Sequence, residues 1–195
     1  MDSLQDLLQE LGITTWDVLL IGDGSGTGWD SPAGWAVVLI DKPTRGRKLF
    51  YGAVNHGSIN FAEGAPYFQA LLWYHHFHGR DRLRRQGQLH VHVLTDSQVT
   101  TQHGQQANQL AADLPRANSP IWAGVREFVR LGYQLEFHWR PRKSSQLNEL
   151  ADRFAGEARR QLQQLTWDPR DVYFNEPWEQ PAVVVGGSPG AGPTP

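Results

Sequence analysis

The feature that most constrains the fold is a continuous apolar run, Val18-Leu19-Leu20-Ile21, which follows Asp17 and ends at Gly22. A strand with one face in water alternates apolar and polar residues. An uninterrupted apolar run of this length is typical of a central strand buried on both faces. The rest of the chain must therefore supply neighbouring strands at its edges and covering elements above and below it.

The remaining elements follow in an order that indicates one sheet topology. Strands are predicted at 35–40 and 48–54, joined by a turn at 43–46, and this short connection makes them antiparallel neighbours. Then come a helix over 61–77 closed by Gly79, a strand over 89–95, a short helix from Ser97, a helix over 121–131, a strand over 133–139 and a helix over 147–165. Strand–helix–strand units pair in parallel. We expect an α/β fold with a mixed five-stranded sheet, a three-strand antiparallel meander and then parallel strands, with helices on both faces.

The chain divides into one main domain and two extensions. Residues 1–15 are predicted to form an N-terminal helical extension, and residues 16–167 the domain that carries any catalytic site. Residues 168–195 are rich in Pro and Gly and are predicted to be a flexible C-terminal tail. Either extension could bind a protein partner.

Composition excludes several classes of function. The 195 residues include 18 Lys and Arg against 20 Asp and Glu, a net charge of −2, so any contact with nucleic acid must come from a local basic patch. The absence of cysteine excludes disulfides, thiolate zinc sites and a cysteine nucleophile. No apolar run approaches the roughly 18 residues of a membrane span, and no secretory signal is visible. We therefore expect a cytoplasmic protein without membrane contact.

Four acidic residues stand where chemistry is expected in such a sheet. Asp23 and Asp96 follow two apolar strands, Glu63 lies early in a predicted helix, and Asp152 lies on the last helix. If the two strands are parallel neighbours, Asp23 and Asp96 lie about 5 Å apart, one strand spacing. Ligands bind beyond the carboxyl ends of such strands, and clustered carboxylates need a cation. Singly, each acid could be a turn or helix-terminal residue, but together they favour an all-oxygen Mg²⁺ or Mn²⁺ site.

Four segments also carry a family resemblance. They are Asp23-Gly24-Ser25-Gly26-Thr27-Gly28 with Pro32-Ala33-Gly34-Trp35-Ala36, Asn60-Phe61-Ala62-Glu63, Thr95-Asp96-Ser97-Gln98, and Asn148-Glu149-Leu150-Ala151-Asp152-Arg153-Phe154-Ala155. In this order they resemble the four motifs of the ribonuclease H family, type 1-like, over about residues 17–162.

The resemblance implies hydrolysis of the RNA strand of RNA–DNA hybrids by a magnesium-dependent endonuclease. The four acids would be catalytic and hold two Mg²⁺ ions, with Mn²⁺ as a possible substitute, and the products would carry 5′-phosphate and 3′-hydroxyl ends. Contacts to 2′-hydroxyls across the minor groove would select RNA. The substrate-binding residues are expected to be Gly24, Ser25, Asn60, Ser97, Gln98, Arg142, Lys143 and Asn148.

One loop departs from the family pattern. Many members have a histidine before the last helix that is thought to help turnover, whereas residues 140–146 contain none. Arg142 or Lys143 could replace it, or turnover could be slow.

Further basic and histidine residues leave alternatives open. Arg80, Arg82, Arg84 and Arg85, between the first long helix and the next strand, form either a solvated basic turn or a phosphate-binding patch. Arg140, Arg142 and Lys143 are a second candidate patch. His75, His76 and His78, and the strand pair His90 and His92, lack the spacing of a zinc site, so no structural metal is expected. Rival functions are a DNA nuclease such as a junction resolvase, and a non-catalytic nucleic-acid-binding module.

Overall fold

The computed structural model describes residues 4–44, 46–114, 116, 118–142 and 145–163. Its sheet has five strands: β1 Val18–Ser25, β2 Ser31–Asp41, β3 Arg47–Gly57, β4 Leu89–Thr95 and β5 Tyr133–Trp139. They are ordered β3-β2-β1-β4-β5, with β1, β2 and β3 antiparallel and β1, β4 and β5 parallel. The predicted mixed sheet is confirmed, although β2 and β3 extend beyond their apolar centres.

The helices precede the three-strand meander and follow it, before and after β4 and β5. They are α1 Leu4–Glu10, α2 Ile59–Tyr74, a π-helical turn His75–Gly79, α3 Arg80–Gln86, α4 Gln98–Asn108, α5 Ser119–Arg130 and α6 Gln146–Gln163. None of the helices in the described ranges is long and apolar enough to cross a membrane. The predicted C-terminal tail lies outside the described residues.

Both faces of the sheet are covered, which explains the uninterrupted apolar run in β1. Val18 and Leu20 pack into a core that includes Trp122 of α5 and the inner side of α2. Leu19 and Ile21 face the opposite way, into a core that includes α6. Successive strand side chains point to opposite faces, so a strand between two cores is apolar at every position.

The N-terminal helix packs against the domain. Leu7 of α1 is buried in the same core as α6. The carboxylate of Glu10 lies 2.7 Å from the guanidinium of Arg140, just beyond β5. Residues 4–10 therefore belong to the layer that covers this face of the sheet.

The predicted end of the long helix at Gly79 is wrong. Gly79 has helical φ of −67°, and the chain continues through the π-helical turn directly into α3. A Cβ at Gly79 would lie 2.0 Å from the hydroxyl oxygen of Tyr133, so glycine serves close helix–strand packing at this position. The sequence shows the glycine but not the neighbour that requires it.

The predicted basic turn is consequently a helix, and one of its arginines is structural. Arg82 is buried, with its guanidinium 2.5 Å from a carboxylate oxygen of Asp17 and 2.9 Å from one of Asp41. Asp17 also accepts the backbone N–H of His90 at 2.8 Å. This network joins α3 to β2 and to the starts of β1 and β4. Only Arg80, Arg84 and Arg85 remain exposed for a phosphate-binding role.

Candidate active site

The carboxyl ends of the two central strands bring three of the predicted acids together. Residue 21 of β1 is in register with residue 94 of the parallel strand β4, so Asp23 and Asp96 follow at the same edge. Glu63 reaches them from α2. A carboxylate oxygen of each of these residues lies within 4.8 Å of the others.

A close approach between β1 and α2 places Glu63 in this group. A Cβ at Gly24 would lie 2.6 Å from the backbone carbon of Ala62 and 2.6 Å from the backbone nitrogen of Glu63. Any other side chain would push the helix away from the strand. Gly24, predicted as a substrate-binding residue, therefore has a clear structural role at the wall of the site.

The hydroxyl group of Tyr67 fixes the two central strands beside the site. It lies 2.9 Å from the carbonyl oxygen of Gly22 and 2.9 Å from that of Leu94, and its single proton is shared between these two acceptors. Both carbonyl groups are within two residues of a clustered aspartate. A fully buried side chain of α2 thus holds the strand ends that present Asp23 and Asp96.

The cluster is short of positive charge. Asp23 is 1% exposed and accepts the N–H of Gly24 through one oxygen, while its other oxygen has no hydrogen-bond partner. One oxygen of Glu63 is likewise buried without a partner. Burial, followed by repulsion from Asp96, raises the pKa of Asp23 to about 7. Burial, followed by repulsion from Asp23 and then Asp96, raises the pKa of Glu63 to about 9. Burial also raises the pKa of Asp96, against the opposing effect of Arg142.

Asp152, the fourth predicted acid, is held slightly apart. Its carboxylate is 2.5 Å from Nη2 of Arg142, whose Nε is 3.9 Å from a carboxylate oxygen of Asp96. The arginine thus stands between two of the four acids. Repulsion from Asp152 still contributes to the raised pKa values of Asp23 and Glu63. Asp152 therefore belongs to the same site but is paired with a guanidinium.

The donor set fits a hard divalent cation. All candidate ligands are carboxylate oxygens, which suit Mg²⁺ or Mn²⁺. The two buried oxygens without partners are the positions where a cation would replace missing hydrogen bonds.

A cleft of about 360 Å³ opens over the cluster. It is lined by Asp23, Gly24, Ser25, Gly26, Ile59, Glu63, Asp96, Arg142 and Arg159. Sequence reasoning missed Arg159, whose Nε is buried without a hydrogen-bond partner. The available signal was its position seven residues after Asp152, which is two helical turns along the same face. Arg142 and Arg159 give the cleft two guanidinium groups.

The other predicted substrate residues occupy different environments. Asn60 is half-buried in the first turn of α2, and Gln98 is exposed at the start of α4. Ser97 caps α4, because its hydroxyl oxygen accepts the N–H of Thr100 at 3.2 Å. Asn148 is buried, with 4% exposure, inside α6. Lys143 lies outside the described residues.

In the second predicted basic patch, both described arginines form ion pairs. Arg140 is paired with Glu10, and Arg142 with Asp152. Arg142 lines the cleft, whereas Arg140 joins α1 to the end of β5. Of the two described arginines of this patch, Arg142 is the one that lines the cleft.

Solved structures resemble this fold, although no similarity was found at the level of family profiles or curated sequences. No protein-family profile matches the chain, and no curated protein is significantly similar to it. The N-terminal ribonuclease H domain of a Mycobacterium tuberculosis protein superposes with a TM-score of 0.56 at 20% identity, over 77% of this chain and 98% of that one. A ribonuclease H1 isolated from compost by a metagenomic approach has a TM-score of 0.54 at 22% identity, over 76% and 99%.

A further structure of the compost enzyme, in complex with an RNA/DNA hybrid, has a TM-score of 0.52 at 19% identity, over 75% of this chain and 99% of that one. The mixed five-stranded sheet with its helices matches such ribonuclease H-like structural neighbours. The chain therefore has the ribonuclease H-type fold.

Proposed function

We propose that the protein is a magnesium-dependent endonuclease that hydrolyses the RNA strand of RNA–DNA hybrids. The observation that carries this proposal is the group of three carboxylates at the carboxyl ends of β1 and β4 and on α2, with two buried oxygens that lack partners. Without a cation, burial and mutual repulsion raise the free energy of the ionised carboxylates. Its place beyond the carboxyl ends of parallel strands is where α/β sheets bind ligands.

Asp23, Glu63 and Asp96 would hold the metal, with Asp152 completing the set when its carboxylate is released from Arg142. Two bound Mg²⁺ ions, or Mn²⁺ in their place, would supply an activated water and stabilise the leaving 3′ oxygen, giving 5′-phosphate and 3′-hydroxyl ends. The protein supplies rigid placement, through Tyr67 between the strands and the close contact at Gly24.

The guanidinium groups of the cleft would position the substrate. Arg142 and Arg159 line the same cavity as the carboxylates, so a phosphate near the acids would have a cation within reach. This local patch provides the positive charge that the overall balance of −2 lacks. The hybrid is the preferred substrate in this proposal because the four motifs resemble ribonuclease H and one structural relative is bound to a hybrid.

The test is cleavage of end-labelled RNA–DNA hybrid, duplex DNA and duplex RNA by the full chain, with Mg²⁺ and with a chelator. We expect cutting of the hybrid RNA strand only, dependent on Mg²⁺, and abolished by Asp96→Asn. Equal cutting by wild type and Asp96→Asn would overturn the proposed site. Cleavage of duplex DNA in preference to the hybrid would instead support a DNA nuclease, and binding without cleavage a non-catalytic module.

A further inference from the structure

A second group of potential metal ligands lies on the sheet, away from the carboxylate cluster. His92 of β4 is in register with Glu136 of the parallel strand β5, and His138 follows two residues later on the same face. One ligand atom from each of these residues lies within 4.8 Å of the others. The set is two imidazoles and one carboxylate, unlike the all-oxygen set of the candidate active site.

The distances between the ligand atoms are near those of a metal site. Nδ1 of His92 is 2.9 Å from Nε2 of His138, and Oε2 of Glu136 is 3.6 Å and 3.9 Å from these nitrogens. Zinc bonds of about 2.0–2.1 Å at tetrahedral angles place neighbouring ligand atoms roughly 3.3 Å apart. The triangle therefore needs shifts of only a few tenths of an ångström, and the Glu136 side chain, 60% exposed, is free to make them.

A hydrogen bond of the His92 ring leaves Nδ1 unprotonated and able to bind a metal ion. Its Nε2 is 2.9 Å from the carbonyl oxygen of Thr15. A carbonyl oxygen can only accept, so Nε2 carries the proton and Nδ1 presents its lone pair to His138 and Glu136. A ligating histidine commonly donates its other ring N–H to a backbone carbonyl in this way. His92 is 4% exposed, so its ring is held in this orientation.

We propose that His92, Glu136 and His138 form a binding site for a divalent transition-metal ion, with Zn²⁺ as the best fit and water in the open fourth position. Two imidazoles and a carboxylate suit Zn²⁺ and disfavour Mg²⁺. Without the ion, Nε2–H of His138 donates to Nδ1 of His92. Binding requires only that His138 carry its proton on Nδ1 instead, with no net change in charge on the ring.

The ion would act as a structural link. It would join the edge strand β5 to β4 and, through the hydrogen bond of His92 to Thr15, hold the segment that precedes β1. This role is independent of the proposed nuclease activity, so it is tested without measuring cleavage.

The experiment uses the full chain without an affinity tag, stripped of metal and kept in saturating Mg²⁺ so that the carboxylate site does not compete. Co²⁺ is added as an optical probe of nitrogen ligation, and Zn²⁺ affinity is measured by calorimetry and by displacement of Co²⁺. We expect one equivalent of Zn²⁺ to bind and the thermal midpoint to rise. His138→Gln and Glu136→Gln should each weaken binding by at least tenfold, the lower end of the loss seen when even an outer partner of a ligand is removed.

Two matched variants make the result specific. His90→Gln removes the histidine two residues before His92 on the same face of β4 and should leave Zn²⁺ affinity unchanged. His78→Gln removes a histidine of the π-helical turn and should also leave Zn²⁺ affinity unchanged. Glu136 is exposed, so its variant tests the site even if His138→Gln unfolds. No Zn²⁺ binding, binding unaffected by Glu136→Gln, or loss only with His78→Gln would overturn the proposal.

Discussion

A carboxylate stands at each end of strand β1, and the two carboxylates have opposite charge environments. At the amino end, Asp17 and its neighbour Asp41 share the guanidinium of Arg82. At the carboxyl end, Asp23, Glu63 and Asp96 crowd together, and two of their buried oxygens have no partner. Partial or full burial is common to both ends, so burial alone does not distinguish the candidate site. The charge balance of each group does, because the Asp17–Asp41 pair has its own guanidinium, whereas two buried oxygens of the Asp23 group have no hydrogen-bond partner.

The largest expected effect lies at the unpaired end. Asp23→Asn should lower the rate of hybrid cleavage by on the order of a thousandfold, or about 4 kcal/mol of transition-state stabilisation. The same substitution removes a repelling charge, so the metal-free protein should unfold at the same or a higher urea concentration. Cleavage assays and urea titrations check the two effects on one sample. A variant that is inactive because it is less stable than wild type would contradict the comparison.

At the paired end the effects should be reversed. Arg82→Met leaves the carboxylates of Asp17 and Asp41 without a counter-charge and should lower the free energy of unfolding by about 3–5 kcal/mol. Cleavage per folded molecule should be unchanged. Arg84→Met, on the same helix but exposed, is the matched control and should cost no more than about 0.5 kcal/mol. Equal unfolding midpoints for the two variants would show that the Arg82 network does not carry the stability assigned to it.

The contact between β1 and α2 should link stability to activity. Gly24→Ala places a Cβ 2.6 Å from the backbone of α2, which should cost about 1–3 kcal/mol and displace Glu63. Activity should fall along with stability. Gly26→Ala is the control, because the nearest atom to its Cβ, in Ile59, is 3.3 Å away. Crystal structures of both variants would show whether α2 moves, and an unmoved helix with full activity in Gly24→Ala would refute this contact.

The last prediction concerns pH. Asp23 and Glu63 have pKa values raised to about 7 and about 9, so the folded chain binds their protons more tightly than the unfolded chain does. Their contribution to stability is therefore full below about pH 4 and is lost as the pH rises towards 9. Urea unfolding with a chelator should show this fall, and Mg²⁺ or Asp23→Asn should reduce it. The same slope in wild type and Asp23→Asn would contradict the raised pKa of Asp23.

The sequence alone predicted the sheet because hydrophobic periodicity is a local signal. The apolar run before Asp23 indicated a doubly covered strand, and the parallel register with β4 then placed Asp96 beside it. Side-chain pairing is not local, which is why the sequence places Arg82, 65 residues from Asp17, in a basic turn or a phosphate-binding patch. The same limit explains Gly79, where the hydroxyl of Tyr133 from a distant strand leaves no room for a side chain. It also explains why the ion pair between Arg142 and Asp152 was not predicted, since this pair depends on the rotamers of the two side chains.

The position of Arg142 would make metal binding at the proposed site an exchange of cations. Its guanidinium already lies between Asp152 and Asp96. A metal ion that binds Asp152 would therefore have to displace the guanidinium from that carboxylate. The metal ion and Arg142 would compete for the carboxylate of Asp152. The gain in binding free energy from this carboxylate would be the difference between its attraction to the ion and its attraction to the guanidinium. Once displaced, the guanidinium is free to reach an incoming phosphate. Ion uptake and substrate capture would then be coupled through a single side chain that changes partners.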